Sequence, residues 1–207
     1  MGFRAFLKIL NSMKGVLLFT ALLFCASIAL GWISTGLIEQ MLKQQIEGLG
    51  QVAGRLQESG NAQLSFFVFI FFNNAIKCVL VMFLGAAFGI IPVIFIVMNG
   101  MVIGFLVHWV AANSAANLYE LIVKGLLPHG IIELPVLLIA CAYGLKFGGM
   151  VMSSIRGGVN VESRRAKPAM SWPVFMKQTW NVALWVVILL FIAAIIESTV
   201  SYSLMRG

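Results

Sequence analysis

Four side chains in this 207-residue chain could hold a metal or move a proton: His108, His129, Glu133 and Glu197. His129 and Glu133 stand at i and i+4, which puts an imidazole and a carboxylate on one helix face. That pairing suits zinc. The first candidate is therefore a divalent-metal centre built on His129 and Glu133 and completed by His108 or Glu197. The second is a structural polar network. Asn73, Asn74, Lys77 and Asn99 would hydrogen-bond between helices, with Lys77 pairing with Glu133 or with the two asparagines. The third is a proton or solute path through the same groups. The HExxH, GxSxG and Walker patterns do not occur. No catalytic residue is assigned, and the chain leans away from enzyme chemistry.

The elements that carry these residues follow from charge-free runs at 15–38, 59–76, 78–119, 125–132, 134–145 and 178–196. A spanning helix needs about 20 mostly apolar residues. The run 78–119 is too long for one span and contains Gly89-Ile90-Ile91-Pro92, a turn signal. Five helices result, near 15–38, 64–88, 91–112, 127–151 and 178–202. The fold class is all-α: a polytopic membrane bundle of about five spans with short amphipathic interfacial helices. At about 1.5 Å per residue, His129 and Glu133 fall roughly 3 and 9 Å below the outer end of the fourth span. His108 and Glu197 fall within about 8 Å of the outer ends of the third and fifth. All four are thus expected in one outer layer. Pro128, Gly130 and Pro135 weaken the start of the fourth helix, because a proline lacks the amide hydrogen that a helix needs. A broken or re-entrant beginning is expected there.

Composition agrees with this class. Hydrophobic residues make up 61% and charged residues 10%, and mean hydropathy is +1.00. A soluble domain is nearer 25% charged. A water-soluble enzyme and a disordered chain are both excluded. The +7 formal charge reads as orientation signal. With the N-terminus cytoplasmic, inner segments hold eight Lys or Arg and outer segments four. The expected address is the cell (inner) membrane, with an uncleaved first span and an extracytoplasmic C-terminus. Residues 1–207 form a single integral membrane domain. Within it, 39–63 is an extracytoplasmic amphipathic connector and 152–177 a basic cytoplasmic loop. In that loop Arg164, Arg165 and Lys167 set orientation and attract anionic lipid rather than nucleic acid.

Three stretches outside the spans look amphipathic. Residues 3–14 pair a basic face, Arg4 and Lys8, with Phe3, Phe6, Leu7 and Leu10, and are expected to lie on an anionic leaflet. In 39–58, Leu42, Ile46, Leu49 and Leu56 recur at helical spacing. That stretch either covers its own protein or packs on a partner or the membrane. Leu118, Leu121 and Ile122 form a short third segment. Gly85 and Gly89, Gly100 and Gly104, and Gly144 and Gly148 are small-xxx-small pairs. They allow backbones to approach closely, within a compact bundle or across a homodimer.

The element Pro128-His129-Gly130-Ile-Ile-Glu133-Leu-Pro135 resembles the stage II sporulation protein M family. So do Asn73-Asn74 in a Phe-rich span, Gly89-Ile-Ile-Pro92, Asn99-Gly100 and Gly144-Leu-Lys-Phe-Gly148. The likeness is strongest over 64–156 and weaker in the first and last spans. It implies a membrane scaffold for two peptidoglycan-degrading partners, the D and P proteins, during engulfment of the forespore. It also implies relatives in bacteria and archaea that form no spores. It assigns no catalytic role. The leading expectation is thus a non-enzymatic scaffold for envelope-remodelling partners. The alternative is an intramembrane metal-dependent hydrolase or a transporter component that uses the outer His/Glu pocket.

Overall fold

A computed structural model describes residues 2–113, 127–159 and 171–206, with side chains for all of these except 37, 113, 127–129, 156–159 and 200–206. Among the described residues it is entirely helical, with seven helices. They are α1 (Phe3–Ser12), α2 (Lys14–Trp32), α3 (Leu37–Gln57), α4 (Ala62–Leu84), α5 (Ile90–Asn113), α6 (Leu127–Val159) and α7 (Trp172–Arg206). Five of them, α2, α4, α5, α6 and α7, are long and apolar enough to cross a bilayer. The expected interfacial segment around Leu118 and the basic cluster at Arg164, Arg165 and Lys167 lie outside the described residues.

Local chemistry explains the boundaries. The first span stops at Trp32 rather than 38, because Gly36 enters the left-handed region at φ 66° and starts α3 as a separate helix. The Asn61 side chain caps α4 by accepting the Leu64 N–H at 3.2 Å. A tight turn joins α4 to α5. In it Phe88 and Gly89 both have positive φ, 56° and 77°, and the Gly89 N–H donates to the Gly85 carbonyl at 2.8 Å. The fourth span differs from expectation. α6 runs without interruption from Leu127 and holds Pro135 inside it, so its start is neither broken nor re-entrant.

α6 is the axis of the bundle, in contact with α2, α4, α5 and α7. Its residues Val136, Ala140, Cys141, Ala142 and Tyr143 are buried. The Tyr143 hydroxyl lies 3.1 Å from Thr179 Oγ1 and ties α6 to α7. The glycine pairs close helix crossings within this one chain. A Cβ at Gly100 would lie 2.6 Å from Ser27 Cβ on α2, and one at Gly104 would overlap the Ile28 carbonyl oxygen. A Cβ at Gly144 would lie 2.6 Å from Pro92 Cγ and 2.7 Å from the Val81 carbonyl oxygen. Gly148 faces the backbone of the Gly85–Gly89 turn. At these positions the sequence's two alternatives resolve as bundle packing.

The outer faces carry Leu18, Leu22, Phe72, Ile76, Leu80, Ile94 and Phe191, all exposed, as a lipid-facing surface requires. Exposed Trp32 and Trp109 mark one end of the bundle, and Trp172 and Trp180 mark the other. The five spans among the described residues separate α1 from the end of α7. α1 does more than rest on a leaflet. Phe6 and Ile9 are buried in the protein core, and Phe3 and Phe6 pack against Trp185 of α7. Phe3 and Leu7 remain exposed beside the basic face.

Candidate intramembrane cleft

At the end of the bundle away from α1, the apolar face of α3 turns inward. Leu42 is buried, and Ala53 and Leu56 pack near Phe66 and Ile70 of α4. α3 touches both α4 and α5 and so bridges them. Beneath it lies a cleft of about 360 Å³. Gln45 and Leu49 of α3 form its roof, and α4, α5, α6 and α7 supply its walls. Gln45 falls on the same helix face as Leu42 and Leu49, at i+3 and i+7. That spacing is the sequence signal that places its amide at the cleft.

Most of the polar residues expected inside the membrane converge here. Asn73, Asn74, Lys77, Asn99, Glu133 and Glu197 all line the cleft. Asn74 Nδ2 donates to Glu133 Oε2 at 2.5 Å, and Asn73 Nδ2 donates to Asn74 Oδ1 at 3.3 Å. A relay from Asn73 through Asn74 to Glu133 therefore joins α4 to α6. Glu133 is 5% exposed, and a carboxylate so buried needs such a donor. Asn99 Nδ2 donates to the Phe95 carbonyl at 2.7 Å, within its own helix.

Two expectations need correction. The Glu133 bond described here comes from Asn74 and not from Lys77. Lys77 is exposed on the cleft wall and makes no hydrogen bond or ion pair among the described residues. His108 does not join the carboxylates. It packs edge-on against Trp32 at 5.1 Å between ring centroids, where α2 meets α5, and does not line the cleft. The side chain of His129 lies outside the described residues. Among the described residues no three His, Cys, Asp or Glu side chains gather to hold a metal ion. Cys78 lines the cleft, and Cys25, Cys78 and Cys141 are free thiols.

The remaining candidate positions serve packing. Pro92 is fully buried where Gly144 approaches it, and Gly100 lies against α2. Gly130 faces the Leu134 side chain of its own helix. Pro135 stands two residues after Glu133. Its missing N–H leaves the Ile131 carbonyl without its helical donor. The side chain of Pro128 falls outside the described residues.

On the exposed side of α3, Lys43 Nζ approaches Glu39 Oε1 at 2.7 Å. That ammonium holds the Glu39 carboxyl below its usual value, with small further help from the Gly36 backbone and from His108.

A bundle of five helices long and apolar enough to span, around a half-buried polar cleft roofed by an amphipathic helix, defines an integral membrane protein of the polytopic helical class. Comparison of the sequence narrows this. Residues 20–202 match the family described as stage II sporulation protein M, and the chain belongs to that family. It is also similar to an uncharacterised protein of Methanocaldococcus jannaschii, 24% identical over 203 residues, covering 93% of this chain and 84% of the relative. No solved structure matches the chain.

Proposed function

We propose that this protein is a non-enzymatic membrane scaffold that holds peptidoglycan-remodelling partners at the cell membrane, with its N-terminus cytoplasmic and its C-terminus and α3 outside. The observation that carries this reading is the character of α3. It extends for 21 residues beyond the first span and exposes Ile38 and Met41. Gly48, Gly50 and Gly54 on it have no neighbour within 4 Å of an added Cβ. A helix that needs no glycine for packing within its own protein, yet has three, offers backbone that a partner helix can approach. Family membership supports the same role, since the name-giving members are read as scaffolds for two peptidoglycan-degrading partners. The excess of Lys and Arg on the α1 side supports the orientation.

A photo-crosslinking amino acid at Met41, in intact cells of the native host, tests it. The expected product joins α3 to a membrane-anchored peptidoglycan-degrading enzyme, and the same probe at Leu22, on the lipid face, does not form it. Crosslinks to lipid or to the chain itself, with no envelope-remodelling protein among the products, would overturn the reading.

A further inference from the structure

We propose that the cleft beneath α3 binds a zwitterion: a primary ammonium group and an anionic group a few bonds apart, the anion held at Lys77 and the ammonium at Glu133. This goes beyond the scaffold role and does not depend on it.

The argument begins with Lys77. It stands about 22 Å along α4, a helix about 35 Å long, and so lies deep in the bilayer. Lys77 lines the cleft, is an exposed residue, and makes no hydrogen bond or ion pair among the described residues. A cation at that depth is costly unless water or an anion meets it. Glu133 supplies the opposite charge in the same cleft. Asn74, which orients it, precedes Lys77 by three residues on α4, so the two charges sit about one helical turn apart in depth, ~4.5 Å. Asn73 and Gln45 add amides that both donate and accept and that favour neither sign of charge. Glu197 adds a second carboxylate to the same lining, so a purely anionic ligand meets repulsion, whereas a ligand carrying both charges sets its anion on Lys77 and its ammonium among the carboxylates. The remaining walls are apolar, including Val102 and Leu106, and suit an aliphatic portion beside the head. A volume of about 360 Å³ fits a headgroup or a small solute.

Two sources share this chemistry. One is the headgroup of phosphatidylethanolamine, entering from the bilayer on the exposed side of Lys77. The other is a soluble zwitterion entering beneath α3. Native mass spectrometry of the full chain released from nanodiscs distinguishes them. The discs contain phosphatidylcholine with either phosphatidylethanolamine or phosphatidylglycerol. The expected result is selective retention of phosphatidylethanolamine, because the choline headgroup has no N–H to donate and the glycerol headgroup has no ammonium. Lys77→Met and Glu133→Gln each lower that retention about tenfold, the size of one charge-assisted hydrogen bond. Lys77→Arg keeps it. Displacement by excess free phosphoethanolamine identifies a soluble ligand as sufficient, and retention without displacement identifies the lipid. If Lys77→Met does not stay monodisperse, Glu133→Gln decides, since glutamine still accepts from Asn74. Equal retention of the three lipids with no binding of phosphoethanolamine, or retention unchanged in both Lys77→Met and Glu133→Gln, would overturn the proposal.

Discussion

Gly104→Ala and Gly50→Ala make the same chemical change on two helices and are expected to act with opposite sign. At Gly104 the added Cβ would overlap the Ile28 carbonyl oxygen, which is backbone and cannot rotate away. α2 and α5 must separate along a crossing where Gly31 and Gly100 already bring the backbones together. A gap of 0.5–1 Å forfeits roughly a quarter to a half of each van der Waals contact it opens. Overpacking of this kind costs about 1–3 kcal/mol. At Gly50 the Cβ meets nothing within 4 Å. Only the helix propensity changes there, and alanine is favoured over glycine by about 1 kcal/mol. Scanning fluorimetry of the purified protein in mild detergent, with size-exclusion profiles as a control, reads both effects. The unfolding midpoint falls by several degrees for Gly104→Ala and rises or holds for Gly50→Ala. An unchanged midpoint for Gly104→Ala would refute the claim that the α2–α5 crossing is a backbone contact. A fall at Gly50→Ala equal to that at Gly104→Ala would refute the claim that α3 is unpacked at that position.

Three further outcomes follow from the same geometry. Asn74→Leu removes the donor to a buried carboxylate and is expected to destabilise the fold by about 1–3 kcal/mol, read as a lower melting midpoint, with Glu133→Gln in the same background restoring part of the loss. Phe88→Gly relieves a left-handed backbone position at φ 56° and is expected to stabilise the α4–α5 turn by about 1–2 kcal/mol, seen as slower thermal inactivation. The Glu39–Lys43 pair gives a pH dependence confined to α3. Because the folded Glu39 carboxyl lies below its ordinary value, its support is complete above the unfolded value of 4.5 and disappears as pH falls through the lower folded one. Hydrogen exchange of α3 amides should therefore quicken on acidification below pH 4.5, and Lys43→Met should abolish that step.

Much of this protein is legible in its sequence. Uninterrupted apolar runs of 20 or so residues have few fates, because backbone polar groups in hydrocarbon must bond within their own segment. Five spans therefore followed from composition and length, and the Gly89-Ile90-Ile91-Pro92 turn divided a run too long for one helix. The boundaries slipped where local backbone decided. Gly36 ended the first membrane helix early, and Trp172-Pro173 began the last one before the apolar run itself. Proline content suggested a broken fourth helix, yet surrounding helices enclose α6 and carry it through Pro135 without interruption.

The candidate site divides in the same way. Residue type and depth alone mark Asn73, Asn74, Lys77, Asn99, Glu133 and Glu197, which line the cleft, and also His108, which does not, since hydrocarbon tolerates so few polar groups. Which of them meet is a question of helix rotation and pairing, and no spacing within one helix answers it. Tertiary structure brought Asn74 to Glu133, left Lys77 on the cleft wall without a counter-ion among the described residues, and set His108 apart against Trp32. It also decided that the glycine pairs join α2 to α5 and α4 to α6 inside one chain, and that α3 folds back as a roof. The sequence alone determined that hydrocarbon surrounds these helices, because hydrophobicity is additive along a chain. The partners within the bundle were left to packing, because contacts between distant segments depend on how whole surfaces fit.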